Sequence, residues 1–218
     1  ATVVAVNPDG IVLDRTVFYP EGGGQPGDSG VLKHGDGRGI AVTNTRKGGE
    51  GITHVPGEDA PSLAVGETVT AELDWERRYL HMRVHTALHV LCAHVEGAVT
   101  GGSIGAGKGR LDFDIPGERP DKETLTKQLM EIVEADHPLT ISSISDEELE
   151  SNPDLVRTMS VKPPTGAGKA RMIRVGDAVD FQPCGGTHLK STGEIGRMRV
   201  GKIENKGKQS RRINVVLQ

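Results

Sequence analysis

The sequence predicts an α+β fold in which a small β-barrel precedes an α+β domain with a metal site. Three observations lead to this prediction. Short apolar runs separated by glycine-rich turns fill the first 74 residues, which is typical of small barrels. The longest helical pattern then begins at Trp75 and contains no glycine or proline before Gly97. Beyond it, strand-like runs alternate with two shorter helical patterns. Residues 75–218 are therefore predicted to form a second domain after the domain of residues 1–74.

The predicted strands of the first domain are short runs bounded by turn residues. Asn7-Pro8-Asp9-Gly10 predicts a tight turn between the first two strands. The six predicted strands are Thr2–Val6, Ile11–Leu13, Val31–Leu32, Ile40–Thr43, Ile52–Val55 and Thr68–Leu73.

Helical periodicity is clearest at the start of the second domain, where an apolar stripe runs from Leu80 to Val95 at helical spacing. Asp74 is the expected N-cap of this helix and Gly97 its expected end. Two further helices are predicted, over Lys122–Ala135 and around Glu147–Leu149. The predicted strands of this domain are Arg110–Ile115, Leu139–Ile144, Arg171–Val175, Val179–Gln182, Ile195–Ile203 and Arg211–Leu217.

Composition excludes several classes of protein. Thirty glycines in 218 residues form no repeat, which excludes a collagen-like chain. The apolar runs are far shorter than the roughly 20 residues that cross a bilayer, and no cationic segment precedes the first one. We therefore expect neither a membrane span nor a signal peptide. Two cysteines make no disulfide framework and favour a cytoplasmic location.

The net charge of −4 conceals a strong asymmetry along the chain. Residues 112–154 carry 13 acidic and three basic side chains, whereas residues 195–218 carry seven basic side chains against Glu204. A basic tail of this kind predicts a local contact with a polyanion, and a solvated charged face is the alternative.

Two pairs of residues in the second domain have the spacing of metal ligands. His85 and His89 lie one turn apart on the long helix, and Cys184 and His188 flank a tight Gly-Gly loop. Three imidazoles and one thiolate suit tetrahedral Zn²⁺. In one alternative, Cys92 replaces Cys184 as the sulfur ligand. In another, the histidines simply line a polar helix face. The remaining histidines, His34, His54, His94 and His137, have no partner at ligand spacing and are expected on the surface.

Two glycine-rich segments invite a ligand-binding interpretation. The segment from Gly102 to Lys108 matches most of a phosphate-binding loop, but Gly109 stands where Ser or Thr must hold Mg²⁺. It also follows a helix and precedes a strand, the reverse of the required order, so an ATPase is not expected. The segment Phe18–Asp28 contains three successive glycines that permit close approach of a ligand. Its expected substrate-binding residues are Glu21, Gly22, Gly23, Gly24 and Gln25.

The order of these motifs resembles the editing domain of alanyl-tRNA synthetase. The resemblance rests on His85-xxx-His89, on Cys184-xxx-His188 with the segment Thr187–Gly196 around it, and on the upstream motif Phe18–Asp28. The chain has no counterpart of the synthetase's activation domain. It is most similar to the freestanding AlaX proteins of medium length.

The resemblance implies a fold, an activity and site residues. It implies an elongation-factor-like barrel for residues 1–74 and hydrolysis of mischarged Ser-tRNA(Ala), usually also of Gly-tRNA(Ala). It implies one zinc ion per chain at His85, His89, Cys184 and His188. Thr100 matches a threonine near the substrate in some family members, and Thr86 is assigned to the substrate pocket. Synthetase-type domains carry a glutamine in the segment of Thr100.

The expected partner is the acceptor end of tRNA, bound by a monomer. The predicted phosphate contacts lie in the basic tail at Lys202, Lys206, Lys208, Arg211 and Arg212. Two alternatives stay open. One is a non-catalytic, zinc-stabilised module that binds tRNA, and the other is editing of Ser-tRNA(Thr), since the threonyl-tRNA synthetase editing domain shares the metal pattern.

Overall fold

Strands dominate the computed structural model, which describes residues 1–115, 118–156 and 168–218. Over these residues the chain forms thirteen strands and three α-helices. It divides into two units, Ala1–Tyr79 and Leu80–Gln218. Among the residues so described, no helix combines the length and the apolar character needed to cross a bilayer.

The first unit is built on one antiparallel sheet of six strands, in the spatial order β1-β2-β5-β4-β3-β6. Each strand predicted for this unit is present, and most are longer than predicted. The strands are β1 (Val3–Asn7), β2 (Gly10–Leu13), β3 (Gly30–His34), β4 (Gly39–Gly48), β5 (Gly51–Pro56) and β6 (Val69–Leu73).

Local chemistry explains the first turn and the meeting of the two outer strands. The side-chain oxygen of Asn7 accepts hydrogen bonds from the N–H groups of Asp9 and Gly10, both at 3.1 Å. At Gly10 a Cβ would lie 2.3 Å from the carbonyl oxygen of His54, so only glycine fits there. A single bridge, Thr2–Thr68, joins the chain just before β1 to the chain just before β6. The buried core of this unit contains Val3, Ile11, Leu13, Phe18, Leu32, Ile40, Val42, Leu63 and Val69.

The second unit combines two antiparallel sheets with helices. One sheet has the order β12-β13-β8-β7 and the other β11-β10-β9. Their strands are β7 (Ala98–Ile104), β8 (Lys108–Asp114), β9 (Leu139–Ser145), β10 (Lys169–Val175), β11 (Asp180–Pro183), β12 (Met198–Asn205) and β13 (Ser210–Leu217). The helices are α1 (Trp75–His94), whose first five residues belong to the first unit, α2 (Lys122–Glu134) and α3 (Asp146–Ser151).

Helix α1 has the predicted cap and the predicted apolar stripe. The side chain of Asp74 accepts from the N–H of Arg77 at 3.1 Å. Along the stripe, Val84 and Leu88 are buried. A Cβ at Gly109 would lie 2.5 Å from the Val84 side chain, so α1 packs directly on the backbone of β8. The helix that carries two of the predicted metal ligands is therefore held against a sheet.

Strand β7 was not among the predicted strands. Its sequence, AVTGGSI, contains two adjacent glycines and buries only Val99 and Ile104, so it has no period-2 apolar pattern. Pairing with β8 forms it, and the pairing contains a bulge between Val99 and Gly101. The segment that resembles a phosphate-binding loop is thus part of a β-hairpin.

Helix α2 lies along the edge strand β12. The hydroxyl of Thr126 on α2 accepts a hydrogen bond from the backbone N–H of Val200 on β12 at 3.0 Å. Leu125, Leu129 and Val133 form the buried face of the helix. An edge strand that would otherwise present unpaired N–H groups is therefore partly covered.

Candidate metal centre

Four side chains from two distant parts of the chain converge in the second unit. His85 and His89 lie one turn apart on α1, with ring centroids 5.3 Å apart. Cys184 and His188 belong to the loop that follows β11, and the His188 ring lies 4.2 Å from that of His85 and 4.5 Å from that of His89. One ligand atom from each of the four residues lies within 4.8 Å of each of the others.

The distances in this cluster suit a tetrahedral zinc ion. The Cys184 sulfur lies 3.5 Å from Nε2 of His85 and 3.3 Å from Nε2 of His188. Zn–S and Zn–N bonds of about 2.3 and 2.0–2.1 Å at tetrahedral angles place sulfur and nitrogen ligands about 3.5 Å apart. Three imidazoles with one thiolate are also a donor set that zinc prefers. The four residues therefore fit the zinc ion that the sequence predicts.

Backbone contacts hold the loop from Cys184 to His188. The Arg171 guanidinium donates to the carbonyl oxygens of Cys184 and Gly186, at 2.6 and 2.9 Å. The Gly186 N–H points at the Cys184 sulfur at 3.4 Å. These contacts fix the direction of the sulfur. The Gly186 N–H also stabilises a thiolate, which is the form of cysteine that binds a metal.

Two residues that sequence reasoning missed contact the cluster from outside. Asp180 Oδ2 lies 2.8 Å from Nδ1 of His89, and the amide of Gln182 donates to the same carboxylate oxygen at 2.8 Å. A carboxylate on the second nitrogen of a ligating histidine orients the ring and raises its basicity. A signal did exist in the sequence. Asp180, Gln182 and Cys184 alternate along β11 and its continuation, so they share one face.

Ionisation within the cluster favours the ligand forms of Cys184 and His188, whereas His89, whose pKa is raised, must release a proton to bind a metal. Burial alone would lower the pKa of His89, but the hydrogen bond with Asp180 and the adjacent Cys184 together raise it to about 10. Burial acts to raise the pKa of Cys184, and the neighbouring imidazoles outweigh it and hold that pKa well below its usual range. Burial, followed by the charges of His85 and His89, lowers the pKa of His188 far below that of a free imidazole. A thiolate beside a neutral imidazole is the state that binds a metal.

Thr86 lies at the cluster but has no exposed surface. Its hydroxyl accepts a hydrogen bond from the N–H of Leu189 and lies 3.3 Å from Nδ1 of His188. These contacts favour a role in positioning His188 over the predicted contact with substrate.

Thr100 lies on β7 with its side chain exposed. Its hydroxyl donates to the carbonyl oxygen of Asp112 at 3.2 Å. Cys92, the alternative sulfur ligand, is buried on α1 and is not part of the four-residue cluster.

The glycine-rich loop predicted to bind substrate forms a tight turn in the first unit. Gly22 and Gln25 exchange two backbone hydrogen bonds, at 3.0 and 3.1 Å, and Gly23 and Gly24 adopt positive φ angles of 60° and 80°. The carboxylate of Glu21 accepts from the Asn44 amide at 3.0 Å. Gln25 is buried, whereas Glu21, Gly23 and Gly24 are exposed.

The basic tail has two kinds of cation. Lys202, Lys206 and Lys208 are exposed. Arg211 is buried and donates to the carbonyl oxygens of the turn before β13, and Arg212 forms hydrogen bonds to both carboxylate oxygens of Asp112. Two of the five cations predicted to contact tRNA phosphates therefore already have partners within the protein.

His54, expected on the surface, is completely buried in the first unit. Its Nδ1 lies 3.0 Å from the carbonyl oxygen of Ile11, and its Nε2 lies 2.7 Å from the hydroxyl of Thr16. Because a carbonyl only accepts, Nδ1 carries the proton and Nε2 accepts from Thr16. The expectation was wrong since the sequence gives no sign of these two partners.

Comparison with known proteins places these features in a family. The model for tRNA synthetases class II (A) matches residues 1–77, and the threonyl and alanyl tRNA synthetase second additional domain matches residues 170–214. The chain is 36% identical to the alanyl-tRNA editing protein AlaX-M of Methanosarcina acetivorans, covering 95% of this chain and 88% of that protein. It is 35% identical to AlaX-M of Saccharolobus solfataricus, covering 97% and 90%. The alanine–tRNA ligase of Pyrobaculum aerophilum is 38% identical over 89% of this chain but only 22% of the ligase. The chain therefore belongs to the AlaX-M family of alanyl-tRNA editing proteins.

Proposed function

We propose that this chain is a trans-editing hydrolase that removes serine, and also glycine, from mischarged tRNA(Ala). Its relatives named alanyl-tRNA editing protein support editing of alanyl-tRNA. The proposal follows the editing proteins, 88% and 90% of whose length this chain covers, and not the ligase, of which it covers 22%.

The cluster of His85, His89, Cys184 and His188 is the observation that carries the proposal. We propose that these residues hold one zinc ion per chain. When bound, zinc supplies a Lewis acid that can orient or polarise groups of the substrate. If all four residues bind permanently, the site would have no open position and the zinc would be structural.

The remaining work falls to residues of the chain itself. An aminoacyl ester is an activated acyl group. A site that positions it beside a water molecule is therefore sufficient to accelerate its hydrolysis. We assign Thr100 to the reacting end of the substrate, where its hydroxyl, which donates to the carbonyl oxygen of Asp112, can accept a hydrogen bond from the attacking water. The loop Glu21–Gln25 is proposed to contact the aminoacyl group, with its exposed glycines allowing close approach.

The proposed partner is tRNA, and the exposed lysines of the tail, Lys202, Lys206 and Lys208, support a contact with its phosphates. Arg211 and Arg212, whose guanidinium groups contact other protein groups, are proposed to add positive electrostatic potential to this surface. In this proposal residues 1–74 form a barrel, which the Thr2–Thr68 bridge supports, and residues 75–218 form the editing domain.

The decisive experiment measures release of the amino acid from Ser-tRNA(Ala), Gly-tRNA(Ala), Ala-tRNA(Ala) and Ser-tRNA(Thr) by the purified, zinc-loaded chain. Release from the first two, with Ala-tRNA(Ala) spared, is expected. Binding of tRNA without any release would establish the non-catalytic module instead. Preferential release from Ser-tRNA(Thr) would overturn the choice of tRNA and favour the threonyl alternative.

A further inference from the structure

A basic groove of about 790 Å³ lies in the second unit between the start of α2 and the edge strand β12. We call it the α2–β12 groove. Two carboxylates, Glu118 and Asp121, line it. Five cationic side chains also line it, namely Arg119, Lys122, Arg199, Lys202 and Arg211. Five positive charges against two negative ones leave the lining with a formal charge of +3.

Three of these cations are available to a ligand. Arg119, Lys122 and Arg199 are exposed, and within residues 1–115, 118–156 and 168–218 no carboxylate lies within ion-pair distance of them. Lys202, by contrast, lies 3.0 Å from the carboxylate of Glu204. The guanidinium of Arg211 donates to backbone carbonyl oxygens, so Arg211 is a structural part of the groove wall and is not counted among the available cations.

The positive charge of the groove comes from side chains and not from the end of helix α2. The carboxylate of Asp121 already accepts from the N–H of Thr124 at 2.8 Å, so the helix terminus has its own cap. Arg119 and Lys122 approach the groove from the start of α2, and Arg199 approaches it from β12. Cations on two walls of one depression suit a chain of phosphates better than one small anion.

Resting on the proposed function, we propose that the α2–β12 groove binds the phosphodiester backbone of tRNA through Arg119, Lys122 and Arg199. This site extends beyond the predicted phosphate contacts: Arg199 belongs to the basic tail but not to the set of contacts predicted there, and Arg119 and Lys122 lie outside the tail. Arg119 and Lys122 even belong to the segment with the strongest excess of acidic residues. Folding brings them beside β12 and concentrates positive charge that the linear sequence hides.

The test measures binding of uncharged tRNA as a function of salt, with wild type and the triple variant Arg119→Gln/Lys122→Gln/Arg199→Gln. We expect the variant to bind at least about tenfold more weakly near 0.1 M salt and the salt slope to fall by about 2.7, because each of the three phosphate contacts adds about 0.9. The matched control is Lys127→Gln/Lys190→Gln/Arg197→Gln. It removes the same charge from exposed positions of the same unit that do not line the groove.

An unchanged salt slope in the groove variant would overturn the proposal, and so would an equal loss in the control, which would show an effect of net charge alone. Release of serine at subsaturating Ser-tRNA(Ala) is expected to fall in the groove variant in proportion to the weaker binding. Absence of release by the wild type, with binding still dependent on the groove, would refute the proposed hydrolase function while supporting the groove as an RNA site.

Discussion

The carboxylate of Asp180 lies 2.8 Å from Nδ1 of His89, and both side chains are almost completely buried. This contact leaves Nε2 of His89 for the cluster with Cys184 and His188. The hydrogen bond of Gln182 to the same carboxylate oxygen holds the acceptor in place. Asp180 therefore positions the ring of His89 within the four-residue cluster.

Replacement of Asp180 by Asn is expected to lower zinc affinity about 10- to 100-fold, because loss of the carboxylate weakens the orientation and basicity of His89. Competition with a chromophoric chelator measures the affinity directly and does not depend on activity. Asp177→Asn is the matched control, because Asp177 is exposed on the same segment. Equal affinities for the two variants would contradict the positioning role.

The ligand set predicts which substitutions abolish metal binding. His89→Ala and Cys184→Ser should lose the metal, since each removes one of the four clustered donors. His94→Ala and Cys92→Ala should retain one zinc per chain in elemental analysis of the purified protein. With cobalt in place of zinc, the thiolate charge-transfer band should vanish in Cys184→Ser and persist in Cys92→Ala. The opposite result would assign the sulfur ligand to Cys92.

The glycine-rich loop is best probed at Gly22. Its φ is not in the left-handed region and a Cβ there meets only ordinary contacts at 3.8 Å or more, whereas any side chain at Gly23 is strained by φ of 60°. We expect Gly22→Leu to retain zinc and to lower the rate on Ser-tRNA(Ala) by about tenfold, because the added side chain displaces the aminoacyl group. Gly35→Leu, on an exposed turn of the same unit with open space, is the control. If both variants hydrolyse Ser-tRNA(Ala) at the wild-type rate, the loop does not contact the aminoacyl group and serves only to connect strands.

Neutralising the exposed lysines of the tail tests the proposed tRNA surface. Lys202→Gln/Lys206→Gln/Lys208→Gln is expected to weaken tRNA binding and to flatten its salt dependence, because fewer counterions are released. The melting temperature should change little, since all three side chains are exposed. A salt slope equal to that of the wild type would contradict the tRNA contact and favour the alternative that the tail is a solvated charged face.

The buried His54 makes the first unit sensitive to acid. Burial lowers the pKa of His54 below 6.5, outweighing the hydrogen bond to Ile11. Below about pH 6.5 the unfolded chain therefore binds a proton that the folded chain does not, and the free energy of unfolding falls as the pH falls. We expect the stability advantage of wild type over His54→Asn to shrink between pH 7.5 and 5.5 in denaturant titrations. A constant difference, or a His54 resonance that titrates above 6.5, would contradict this.

Periodicity and turn chemistry predicted most elements of the fold because they are local properties. Helix α1 begins at Trp75 and six strands fill the first unit, as expected. Strand β7 escaped prediction because its glycines carry no apolar pattern, and it forms only by pairing with β8. The spacing within each histidine and cysteine pair was readable for the same local reason, since one turn of helix or one tight loop determines it.

Partners that are distant in sequence could not be read in this way. Asp180 and His89 are separated by 91 residues, and Arg212 and Asp112 by 100, so only the packing of α1 on the sheets and the register of β8 with β13 bring them together. Tertiary packing likewise buries His54 in the first unit, and in the second unit it engages Arg211 with backbone carbonyls and brings Arg119 and Arg199 to the lining of one groove. The sequence alone determined which residue types are present and which elements carry them. The tertiary structure decided which charges are neutralised and which remain for a ligand, because an electrostatic interaction depends on distance and burial and not on position along the chain.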